Sequence, residues 1–199
     1  MFNKQQQLNA FHYTIEELAE RHRDQGLSPK GFVFGLDDVI FPSKDYVLQV
    51  YYLFANFVEF TATRPPAPQL VDFFQKTYES EGADGIFDKA LSAFPEIGPF
   101  RENFDRLHHQ AQLPLKLLIF PEVSDLLKKL HADGKFIFIL TPGDPMMQLN
   151  KIRQVNWEGL DKFIKVYFED ELRFEKQDPL RYLMEQHGLE ERELVVVKS

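Results

Sequence analysis

Cysteine is absent from this 199-residue chain. That excludes disulfides and thiolate metal sites, and it fits work in a reducing compartment, the cytoplasm. No apolar run approaches the ~20 residues that a membrane-spanning helix needs. The opening residues Met1-Phe2-Asn3-Lys4-Gln5-Gln6-Gln7 hold no apolar stretch of signal-peptide type. Positive charge is scarce as well: 23 Lys and Arg against 31 Asp and Glu leave a net charge of -8. No Lys/Arg cluster offers a face for a phosphate backbone, which excludes nucleic acid as the partner, and the acidic surplus serves solubility. A glycine-rich nucleotide loop, a Ser/His/Asp arrangement, internal repeats and low-complexity segments are missing too.

What the chain has in quantity is core material. Hydrophobic residues make up 44%, including 20 Phe, enough for one domain or for one core with a smaller insertion. Residues 1–30 read as an N-terminal helical extension: Thr14-x-x-Glu17 has the capping-box pattern, Ile15, Leu18 and Ala19 give an apolar stripe, and Gly26 ends it. A strand follows at Phe32 to Phe34. Residues 45–113 read as helices throughout. Val47, Val50, Tyr51, Phe54, Phe57 and Val58 form the first stripe, and Arg64-Pro65-Pro66-Ala67-Pro68 interrupts the run.

After Pro114 the pattern alternates. Helices are expected after Pro121, around Met146 to Val155 and from Pro179 to His187. Strands are expected at Phe136 to Leu140, Val166 to Phe168 and Leu194 to Val197. Such alternation predicts an α/β fold with a doubly wound, Rossmann-like parallel sheet. Residues 31–44 and 114–199 would form this core, and 45–113 an inserted helical cap.

Ligands of open α/β sheets bind beyond the carboxyl ends of the strands. The residues there are Gly35, Asp37 and Asp38 after the first strand, Thr141 after the second, Lys176 before the helix at Pro179, and Lys198-Ser199 after the last. Taken singly, Asp37-Asp38 and Thr141 read as turn residues, Lys176 as a solvated lysine and Glu169-Asp170-Glu171 as a solvated loop. His108 and His109 are adjacent on a helix and point in different directions, which weighs against a metal site there.

In order, however, these residues carry a resemblance. Val33-Phe34-Gly35-Leu36-Asp37-Asp38-Val39-Ile40 resembles the first motif of the haloacid dehalogenase (HAD) superfamily of phosphatases, an apolar strand ending in Asp-x-Asp-x-Thr. Thr141 falls on that family's second-motif hydroxyl and Lys176 on its third-motif lysine. Asp37 falls on the acid/base that protonates the leaving alcohol and later activates water. The resemblance implies a HAD core with a helical cap. It also implies that an intact relative is a magnesium-dependent phosphohydrolase acting on a small phosphorylated metabolite through an aspartyl-phosphate.

The departures lie at the chemistry. The nucleophilic aspartate falls on Gly35, the threonine on Val39, and the fourth-motif acids on Lys198-Ser199. The expectation is therefore a degenerate member that needs no metal and has little or no activity. It would bind phosphate or a small phosphorylated molecule near Thr141, Lys176 and Asp38, or else a protein partner. The enzyme alternative is residual hydrolysis through Asp37 or Asp38. The last strand, Leu194 to Val197, is expected at the sheet edge, covered by the N-terminal helix, by a second copy in a homodimer, or guarded by Lys198.

Overall fold

Runs of aromatic and β-branched residues too short for helices build the sheet. The structure, a computed structural model, describes residues 11–14 and 29–198. In chain order it gives β1 (Phe11–Thr14), β2 (Gly31–Phe34), α1 (Ser43–Ala62), α2 (Ala67–Glu81), α3 (Ile86–Ala93), α4 (Arg101–Gln110), β3 (Leu117–Leu118), α5 (Pro121–Ala132) and β4 (Phe136–Thr141). There follow α6 (Pro145–Gln154), β5 (Val155–Asn156), β6 (Ile164–Phe168), α7 (Glu169–Phe174), α8 (Pro179–His187) and β7 (Leu194–Lys198). Five strands form one parallel sheet in the order β1-β7-β2-β4-β6; the parallel sheet is as the alternating pattern predicts, the fifth strand β1 is not. No described helix is long and apolar enough to cross a membrane.

The chain divides into two compact units, one built on the sheet and one helical. In the sheet unit, Phe32, Phe34 and Phe138 are fully buried, and Leu183 and Met184 of α8 pack with Val33, Phe138 and Leu194. Local chemistry fixes α8: the Asp178 carboxylate accepts from the Arg181 amide at 2.9 Å, Pro179 opens the helix, and Gly188 at φ 62° closes it.

The helical unit comprises residues 43–117 and 146–155. Its core is a cluster of rings: Tyr51 stacks on Phe74 at 4.8 Å, and Phe54 meets Phe104 edge-on at 5.1 Å. Nearly all of α6 groups with these helices, although the sequence pattern assigned it to the core. Its buried side chains are polar, which periodicity of apolar residues does not reveal. Asn150 donates to the Tyr46 hydroxyl at 3.0 Å and to the Ala111 carbonyl at 3.1 Å. The Tyr46 hydroxyl donates in turn to the His108 carbonyl. Lys151 is buried, with its ammonium 5.4 Å from the centre of the Tyr46 ring.

Three expectations are corrected. Phe11–Thr14 is a strand, not helix, and it pairs in parallel with β7, Phe11 opposite Val195 and Thr14 opposite Lys198. Two aromatics and a threonine suit a strand better than a helix, and β7 supplies the unpaired edge. The rest of the N-terminal extension, including the Glu17 half of the capping pattern, lies outside the described residues. β7 is accordingly an inner strand between β1 and β2 rather than the edge. Glu169-Asp170-Glu171 likewise opens the short helix α7 instead of lying in a loop.

Two consequences are measurable in the helical unit. Phe54→Ala removes a fully buried ring that packs against Phe74, Phe87 and Phe104. It should cost about 3–5 kcal/mol in urea unfolding, and a loss below ~1 kcal/mol would contradict the packing described. Burial holds His108 below the ordinary imidazole pKa, against the opposing hydrogen bond to the Phe104 carbonyl. The unfolded chain then binds the proton more readily, so this contribution is complete above a pH of about 6.5 and is lost as pH falls through the lowered folded value. His108→Phe keeps a ring against Phe104 and should flatten that part of the stability–pH profile.

Candidate functional site at the strand ends

The parallel ladders align the candidate residues at one end of the sheet. Phe34 stands opposite Ile139 on β4 and Val197 on β7, so Gly35 and Lys198 continue in step on neighbouring strands. Thr141 closes β4 opposite Phe168, the last residue of β6. Gly35, Asp37, Asp38, Thr141 and Lys176 all belong to the sheet unit.

The turn after β2 is tightly closed. The Asp38 amide donates to the Phe41 carbonyl at 2.9 Å, Ile40 to Leu36 at 3.0 Å, and Phe120 to Ile40 at 2.9 Å. Leu36, Ile40 and Phe41 are fully buried beneath it. Asp38 is exposed and takes the left-handed backbone at φ 58°, a conformation that aspartate tolerates better than most residues. Asp37 is half-buried.

Gly35 does not have a left-handed backbone, so its conformation would accept a side chain. What stands in the way is a neighbour. A Cβ on Gly35 would lie 3.1 Å from the Cγ2 of Val39, which is itself buried. The two first-motif departures thus touch each other, and a side chain at position 35 would have to push Val39 by a few tenths of an ångström.

Thr141 is wholly buried, and its hydroxyl makes only a long contact, 3.4 Å, to the Pro142 carbonyl. Lys176 is exposed, and it ends α7. Its amide donates to Arg173 at 3.0 Å and the Gln177 amide to Leu172 at 2.9 Å, with Lys176 itself left-handed at φ 60°. This is the helix ending that glycine adopts most cheaply. Sequence reasoning missed the contact made by Asp170, whose carboxylate accepts from the Gly143 amide at 3.0 Å. Only the pairing of β4 with β6 brings those two segments together, and nothing local signals it.

The donors do not suit magnesium, which wants several oxygen ligands in near-octahedral array. Position 35 offers none, a lysine closes β7 at 198, and no three acids or histidines among the described residues are grouped to hold a metal.

The family model described as "haloacid dehalogenase-like hydrolase" matches residues 32–198. Several solved structures are similar to this chain. One described as the HAD-hydrolase YfnB from Bacillus subtilis bound to magnesium is 16% identical, covers 85% of this chain and 77% of its own, and superposes with a TM-score of 0.50. A haloacid dehalogenase-like family hydrolase from Xanthomonas campestris is 17% identical, with coverages of 88% and 75% and a TM-score of 0.48. A predicted phosphoglycolate phosphatase from Haemophilus somnus is 16% identical, with coverages of 84% and 76% and a TM-score of 0.48. No curated protein matches the chain.

The left-handed backbone at Lys176 has a measurable cost. Lys176→Gly should raise stability by about 0.5–1 kcal/mol by removing the strained Cβ, whereas Lys176→Ala, which keeps it, should not. Equal effects of the two substitutions in thermal unfolding would contradict the conformation described.

Proposed function

The chain belongs to the haloacid dehalogenase-like hydrolase family, and we propose that it is a non-hydrolytic member, a HAD core that binds rather than turns over. One observation carries this reading: at the end of β2, where the family's attacking carboxylate stands, there is Gly35, with the buried Val39 methyl against it. Without a nucleophile there is no aspartyl-phosphate to split the reaction into two easier steps. Lys198 at the end of β7 and Ser199 after it, in place of acids, remove the other half of the chemistry, so stability is independent of magnesium. Asp37 and Asp38 do not substitute for the lost group. Each step along the chain moves a carboxylate by about 3.8 Å, far outside the tolerance of an in-line attack.

The retained task is binding. Lys176 holds an ammonium at a backbone position that glycine would occupy more cheaply, which favours a use for that charge. Its natural counterpart is the phosphoryl group of a small phosphorylated molecule rather than a nucleic acid. With no cysteine in the chain, a reducing compartment such as the cytoplasm suits it.

Purified protein assayed against a panel of phosphomonoesters should show no turnover above background, with or without Mg²⁺. Loss of a covalent nucleophile alone costs on the order of 10⁴–10⁶ in rate. Gly35→Asp alone should not restore activity. Magnesium-dependent turnover that Asp37→Asn abolishes would overturn the proposal.

A further inference from the structure

The segment between β4 and α6 is Pro142-Gly143-Asp144, followed by Pro145 at the start of the helix. Neither proline carries an N–H, so these four residues hold two backbone donors, those of Gly143 and Asp144. The Gly143 amide donates at 3.0 Å to the carboxylate of Asp170, which reaches across from the first turn of α7 beyond β6. Gly143 is left-handed at φ 96°, so the amide's direction depends on a residue that only glycine replaces without strain. The buried Thr141 hydroxyl makes a long contact, 3.4 Å, to the Pro142 carbonyl at the start of this loop.

We propose that Asp170 is the residue that sets ligand charge at this loop: its carboxylate acts as a built-in anion on the Gly143 amide and excludes phosphate until it is displaced. Two effects add. The amide is occupied by a charge-assisted hydrogen bond, the stronger kind. An incoming phosphate also meets a like charge at the same donor. A phosphorylated ligand of this core is then one with enough additional contacts to drive Asp170 aside, and free inorganic phosphate is not such a ligand. The inference rests on the strand ends being the binding site of the non-hydrolytic reading. It concerns affinity rather than turnover, so the two fail independently.

The test is a titration of the full chain with inorganic phosphate at constant pH and ionic strength, sodium chloride serving as the control, read by the ¹⁵N–¹H shift of Gly143. In the unsubstituted protein that signal should not respond. In Asp170→Ala it should titrate saturably, with affinity about ten- to a hundredfold higher, the equivalent of removing one charge-assisted hydrogen bond. Asp170→Asn can keep accepting from the amide without the charge and should fall between the two. If Asp170→Ala perturbs the spectrum broadly, Asp170→Asn decides, since it keeps size and bond. A Gly143 response in the unsubstituted protein equal to that of the variants would overturn the proposal, as would no gain in either variant.

Discussion

The pairing of β2 on both of its edges is the interaction on which the rest of the α/β unit depends. The strand has four residues, and it is parallel to β7 on one side and β4 on the other. Its entry is a point of closest approach: a Cβ on Gly31 would lie 2.9 Å from Leu189, 3.0 Å from Leu194 and 3.1 Å from Phe138. Only a glycine lets the strand sit that deep, between the side chains of its two neighbours. From this one placement follow the register of both neighbours, the alignment of their carboxyl ends, and the location of Gly35, Thr141 and Lys198 along a single edge.

Because that alignment is made by backbone bonds and apolar packing, it survives changes in the side chains that would do chemistry. Backbone hydrogen bonds close the turn after β2, Asp38 to Phe41 and Ile40 to Leu36. The fold therefore needs no carboxylate at position 35, where a Cβ would meet the Val39 methyl at 3.1 Å. The left-handed residues at the site, Asp38 and Lys176, persist for the same reason: the turn and the helix end around them fix their geometry. Asp170 illustrates the opposite case, a side chain that holds a loop through its bond to the Gly143 amide.

Much of this was legible in the sequence. Helices alternating with continuous apolar runs identify a parallel sheet, and the chemistry-bearing residues sit at strand ends because connections in such folds put them there. The reading failed where the decisive partner is distant in the chain. Phe11-His12-Tyr13-Thr14 has the composition of a strand, but it pairs with Val195 to Lys198, and a nearby capping pattern outweighed it. α6 follows the rules of an α/β helix locally, yet buries Asn150 and Lys151 among the helices. The contact of Asp170 with Gly143 spans 27 residues, and Val39 over Gly35, though only four residues apart, depends on how a tight turn folds back.

The central claim is that no residue of this chain attacks phosphorus. Intact-mass spectrometry after incubation with a reactive phosphoryl donor such as acetyl phosphate, quenched in acid to preserve acyl phosphates, tests it most directly. The account predicts an unchanged mass with and without Mg²⁺. A stoichiometric gain of one phosphoryl group, mapped to the peptide that carries Asp37 and Asp38, would contradict it.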